Sequence, residues 1–116
     1  MPRPVSLDER GRLSRLIDFV RAHLAEAHTL RSLAQRAAMS IRTLQREFAR
    51  ATGQAPYEWL IGERIERAKE LLETSRLSAP VIAARVGLGS AESLRHHFRR
   101  RVGTTPAQYR RRFSRS

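Results

Sequence analysis

The chain has 116 residues, and its 23 Lys and Arg against 11 Asp and Glu give a formal charge of +12 and a pI near 11.8. Such a field attracts nucleic acid or an anionic membrane surface before any specific contact forms. The absence of cysteine excludes a disulfide framework and a thiolate zinc site. No apolar run approaches the roughly 20 residues of a bilayer span, and the opening Met-Pro-Arg-Pro lacks the apolar core of a secretory signal, so a cytoplasmic protein is expected.

In chain order, Leu13, Leu16, Ile17, Val20 and Leu24 fall at helical spacing, with Asp8 and Glu9 placed where a helix N-terminus favours negative charge. Thr29 caps a short second helix with the stripe Leu30, Leu33, Ala34 and Ala37, and Ala38-Met39 make a turn. Ser40 caps a third helix whose inward face is predicted as Ile41, Leu44, Phe48 and Ala51, stopped at Gly53. Pro56 opens a long helix, with Tyr57, Leu60, Ile61, Ile65, Ala68, Leu71 and Leu72 in phase to Thr74, a span of roughly 25 to 30 Å.

Ser78 and Pro80 then open a short helix with Ile82, Ala83 and Val86 inward, followed by a turn over Gly87 to Gly89. Ser90 caps a helix with Leu94, Phe98 and Val102 inward, and Pro106 starts a last one carrying Tyr109 and Phe113. No segment alternates with period two, so the expected class is all-α, with about seven helices.

The second half replays the first. Ser40 falls on Ser90, Leu44 on Leu94, Phe48 on Phe98, Arg50 on Arg100, Gly53 on Gly103 and Pro56 on Pro106. Upstream of the second turn the offset drops by one residue and matches Leu33 to Ile82, Ala34 to Ala83 and Arg36 to Arg85. A unit of short helix, tight turn and serine-capped helix, written twice in a basic chain, is the pattern of two helix-turn-helix units. The expected division is a first unit over 7–53, a linker helix over 56–74 and a second unit over 78–113.

In such a unit the first helix braces the second, whose N-terminal residues enter the major groove. The polar positions left after the core is assigned are Arg42, Thr43, Gln45, Arg46 and Arg50 in the first unit, and Ala91, Glu92, Ser93, Arg95, His96, Arg99 and Arg100 in the second. Gln pairs bidentately with adenine and Arg with guanine, so Gln45 and Arg46 are the expected base readers, with Arg95 and His96 in their places in the second unit. Arg42 suits a base or a phosphate. Glu92 suits either a cytosine amino group or a neighbouring Arg, and Ala91 a thymine methyl. Ser40, Thr43, Arg50, Ser90, Arg99 and Arg100 are the expected phosphate contacts, and Arg110, Arg111, Arg112 and Arg115 a loose basic tail.

The blander readings go the other way for several residues. Phe48, Trp59, Phe98 and Tyr109 sit at core spacing and are expected inside. His96 and His97 lack the spacing of two metal ligands on one helical face, and Glu63, Glu66, Glu70 and Glu73 interleaved with Arg64, Arg67 and Lys69 read as a solvated face with local ion pairs. No nucleophile with a partner base, phosphate loop or acid pair is legible, so neither an enzyme nor a metal or cofactor site is expected.

The residues from about Leu30 to Phe113 resemble the C-terminal DNA-binding domain of the AraC/XylS family of bacterial transcription regulators. The resemblance rests on Leu33-Ala34 with Ala37 to Ser40, Leu44-Gln45-Arg46 with Phe48, Thr52-Gly53 and Pro56, then Arg67-Ala68 with Leu71-Leu72. It continues through Ile82-Ala83, Val86-Gly87, Gly89-Ser90, Leu94, Phe98, Val102-Gly103, Pro106 and Tyr109-Arg110-Arg111. It implies seven helices, two helix-turn-helix subdomains joined by the long helix, and recognition helices in successive major grooves about 34 Å apart. It places base contacts on Arg42, Gln45 and Arg46, and on Ala91, Glu92, Arg95 and His96. Ala38 stands where the family usually has glycine, which implies either strain in the first turn or a slightly different geometry there, and Leu88 replaces an aromatic. The stretch from Ser93 to Pro106 is similar to the branch with a glutamine-amidotransferase-like domain ahead of this module, for which these residues leave no room.

The expectation is thus a sequence-specific reader of double-stranded promoter DNA in the bacterial cytoplasm, more often an activator in this family. It is expected to be monomeric as it stands, with RNA polymerase as a further candidate partner. The rivals are a nonspecific basic nucleic-acid-binding protein and a module docking an acidic protein.

Overall fold

The computed structural model describes residues 4–115, with side chains from Asp8 onward. Among the described residues the elements are seven helices: α1 (Pro4–Ala22), α2 (Leu30–Arg36), α3 (Ile41–Thr52), α4 (Pro56–Thr74), α5 (Ala79–Val86), α6 (Ala91–Val102) and α7 (Pro106–Phe113). The class is all-α, and no strand occurs among the described residues. None of these helices is long and apolar enough to cross a membrane. The chain forms two compact units: α1 to α3 with α4 through Leu60, and Ile61 onward together with the short segment Leu24–Glu26.

In the first unit α3 packs on α1 and α2, and Leu13, Leu16, Val20, Leu33, Ala34, Ala37, Leu44 and Phe48 are buried. The Phe48 and Trp59 rings meet with centroids 5.2 Å apart. In the second unit α6 packs on α5 and α7, and the core joins Ile61, Ile65, Ala68 and Leu72 to Ile82, Ala83, Val86, Leu88, Leu94, Phe98 and Tyr109. Here Phe98 and Tyr109 meet at 5.3 Å, so the aromatic pair recurs at the repeat offset.

The repeat extends to the backbone. Met39 N–H donates to the Ala34 carbonyl at 2.9 Å, and Leu88 N–H to the Ala83 carbonyl at 2.8 Å, so the two turns begin alike. Ala38 and Gly87 both take left-handed φ, 54° and 84°. The additional residue of the second turn is therefore Gly89, also left-handed at φ 83°, after which Ser40 and Ser90 restore the register. The strain implied at Ala38 is visible, since a side chain with a Cβ crowds the following carbonyl in this region. Gly87 needs its missing Cβ for a second reason: one would lie 2.2 Å from the Leu24 carbonyl oxygen and 2.8 Å from Arg64 Nε. Leu88 is buried, a packing role.

Several assignments need correction. α1 begins at Pro4, so Asp8 and Glu9 lie beyond the free amides of its first turn and pair with side chains instead, Asp8 with Arg12 at 3.2 Å and Glu9 with Arg46 at 3.1 Å. Leu24 lies past the end of α1, and its carbonyl serves the second unit. Ile41 and Ala51 share phase with Leu44 and Phe48 but are exposed, because the face runs out from under its covering elements at the two ends of α3. Glu47 takes a buried place there. Tyr57 is exposed at the start of α4, where Trp59 and Leu60 turn inward.

Three supposed surface arginines are structural. Arg64 is buried and donates to the carbonyls of Leu24 at 3.2 Å and Glu26 at 2.8 Å, satisfying groups that no helix satisfies. Arg110 donates to the Leu72 and Ser75 carbonyls, and Arg115 binds Glu73 through its backbone N–H and its guanidinium, so two of the four arginines of the basic tail are held, while Arg111 and Arg112 are exposed. Glu73 also accepts from the Tyr109 hydroxyl. Burial, and then that carboxylate, push the Tyr109 pKa up to about 12.

Candidate nucleic-acid interface

The two candidate recognition helices are built alike. Ser40 Oγ accepts from the Thr43 N–H at 3.1 Å, and Ser90 Oγ from the Ser93 N–H at 3.1 Å, so each serine satisfies one of the otherwise unpaired first-turn amides. The Ser40 hydroxyl also donates to Thr43 Oγ1 at 3.0 Å. Each helix ends at a left-handed glycine, Gly53 or Gly103, whose N–H donates to the carbonyl four residues back at 2.9 Å. Both helices have 12 residues, so the chain presents two equal rods fixed at both ends.

On α3 the buried stripe of Leu44, Glu47 and Phe48 leaves Arg42, Gln45 and Arg46 exposed on one face at three- and four-residue spacing. Ser40 and Arg50 are exposed at its two ends, and Thr43 is half-buried. On α6 Leu94 and Phe98 are buried, and Glu92, Arg95, His96, Arg99 and Arg100 are exposed, with Ser90 exposed and Ala91 half-buried at the start. Glu92 sits in the first turn and Arg99, Arg100 and Arg101 in the last, the arrangement the helix dipole favours. Each set of sequence-predicted residues thus lies together on the open side of its own helix.

Two features were not foreseen. Ile41, expected inside, is 41% exposed at the first residue of α3. The signal for it was present: the offset that superposes Ser40 on Ser90 puts Ile41 on Ala91, already a groove candidate. The other is a run of alternating charges. Arg50 donates to Glu47 Oε1 through Nε at 3.1 Å and Nη2 at 2.9 Å, Arg46 Nε lies 3.8 Å from Glu47 Oε2, and Arg46 Nη2 reaches Glu9 Oε2 at 3.1 Å. A period-based reading cannot find a link across 37 residues.

Known proteins share this architecture. The helix-turn-helix domain family matches residues 33–112. The HTH-type transcriptional regulator Rv1931c of Mycobacterium tuberculosis is 44% identical over 94 residues, 81% of this chain and 36% of that protein. The HTH-type transcriptional activator RhaS of Escherichia fergusonii is 35% identical over 100 residues, 86% of this chain and again 36% of the relative. The chain therefore spans little more than a third of the length of these relatives. Among solved structures, the DNA-binding domain of the global transcriptional factor AdpA, in complex with a target DNA, superposes with a TM-score of 0.84 at 44% identity, covering 87% of this chain and 91% of that one. With seven helices, a duplicated capped turn and these relatives, the chain belongs to the helix-turn-helix domain family, of the AraC type.

Proposed function

We propose that this chain is the double-stranded-DNA-reading module of a transcription regulator, an activator by the kinship with RhaS, and that α3 and α6 each enter a major groove, the two grooves being successive on one promoter site. The observation that carries the reading is the duplicated recognition helix, serine-capped, glycine-stopped and exposing base-reading side chain types on one face.

In this reading Arg42, Gln45 and Arg46 read base edges from α3, with Ile41 as an apolar contact, and Ala91, Glu92, Arg95 and His96 read from α6. Ser40, Thr43, Arg50, Ser90, Arg99 and Arg100 hold phosphates and fix the register. Arg110 and Arg115, tied to α4, belong to the scaffold.

Equilibrium binding to a selected duplex and to a random one across a salt series tests this. The reading expects a specific component that survives at physiological salt, and a cost of about 1 to 3 kcal/mol on the selected site for Gln45→Ala or Arg46→Ala. Equal, purely salt-dependent affinity for every duplex would instead make the chain a nonspecific basic binder.

A further inference from the structure

We infer that Glu9, on α1, is a positioning residue that sets the specificity of the first recognition helix by holding the Arg46 guanidinium. The inference rests on the proposed role of Arg46 as a base reader.

An exposed arginine on a groove-facing helix has two competing uses. Free to swing, it follows the phosphates, which lie everywhere along the duplex and carry no sequence. Held in one plane, it presents its paired donors to guanine O6 and N7 and to little else. Arg46 is in the second condition. Its side chain is 61% exposed, yet two mostly shielded carboxylates flank it: Glu9, 15% exposed, at 3.1 Å from Nη2, and Glu47, 8% exposed, at 3.8 Å from Nε.

Arg50 donates to Glu47 Oε1 through both Nε and Nη2, which fixes that carboxylate, while its other oxygen faces Arg46 Nε. The Nη1 end of the fork has no partner in this network and remains available to a base. The two acids also lower the net pull of Arg46 on phosphate, which weakens binding to the wrong sequence.

The second helix carries different residues at these positions. At the repeat offset His96 and His97 replace Arg46 and Glu47, and α6 bears Arg95, Arg99, Arg100 and Arg101 against the single acid Glu92.

The test compares wild type, Glu9→Gln and Arg46→Ala on three duplexes: the selected site, the same site changed at the base pair assigned to Arg46, and a random duplex, each at two salt concentrations. Glu9→Gln keeps the shape and removes the charge, and its melting temperature and helical content verify folding.

The inference expects Glu9→Gln to bind the random duplex about threefold more tightly, and its log affinity to fall with log salt about one unit more steeply, as one more phosphate is engaged. Discrimination at the Arg46 base pair should drop by about fivefold or more, with that at the second block unchanged. A folded Glu9→Gln protein with wild-type discrimination at that base pair would overturn the inference, whatever its random-duplex affinity. Should Arg46→Ala also leave that discrimination intact, the failure lies with the base-reading role of Arg46 itself.

Discussion

The side chain at position 41 shows how one residue can be in phase with a core and yet outside it. Ile41 stands three residues before Leu44 and seven before Phe48, both fully buried, but its place at the first residue of α3 leaves it 41% exposed. An apolar side chain there suits the 5-methyl group of thymine. Within the proposed function, replacing that thymine by deoxyuridine, which removes only the methyl, should weaken wild-type binding by about fourfold, the worth of one buried methyl-sized group. Ile41→Ala should be indifferent to the change; equal sensitivity in both proteins would place the side chain elsewhere. Residues fixed by local pattern, such as Ser40, Ser90, Leu44 and Phe98, are legible in the sequence. Arg64, Glu9 and Glu73 are not, because their partners lie 36 to 42 residues away and a charged side chain carries no periodic mark of burial.

At the scale of elements, the two turns are a controlled comparison. They share a hydrogen-bond pattern, but the left-handed position is alanine in one and glycine in the other. Ala38→Gly should stabilise the chain by about 1 kcal/mol in denaturant melts, since the Cβ penalty exceeds the extra entropy of glycine in the unfolded chain. Gly87→Ala should do the reverse and more strongly, by about 2 to 4 kcal/mol, because its Cβ would meet the Leu24 carbonyl as well as a left-handed backbone. A neutral Gly87→Ala would mean that the Leu24–Glu26 segment does not hold its place. α7 supplies a pH dependence. The Tyr109 pKa is raised from 10.0 to about 12, so folding favours the neutral phenol. That contribution is complete below pH 10 and is lost as pH rises towards 12, the range in which the unfolded phenol ionises first. Tyr109→Phe should flatten the melting temperature across that range, and an unchanged slope would exclude this tyrosine as its source.

For the whole molecule, the duplication made the fold legible. The same core positions recur after forty-nine or fifty residues, so α2, α3, α5 and α6 could be placed with their capping residues from the spacing of Leu33, Phe48, Ile82 and Phe98 and their neighbours. Helix ends were less legible: α1 begins earlier than the charge of Asp8 and Glu9 suggests and stops before Leu24, because capping preference is weak beside packing. The exposed polar faces of α3 and α6 were legible as a list of positions, whereas the contact of Arg46 with Glu9 required coordinates. The proposed function requires that one chain read DNA with two separate helices. Selection of bound duplexes from a randomised pool at physiological salt, using wild type, Arg46→Ala and Arg95→Ala, tests it most directly. The expected result is a motif in two blocks about one helical turn apart, with each substitution blurring one block and sparing the other. A single block, or a pool that stays random while binding remains strong, would contradict it.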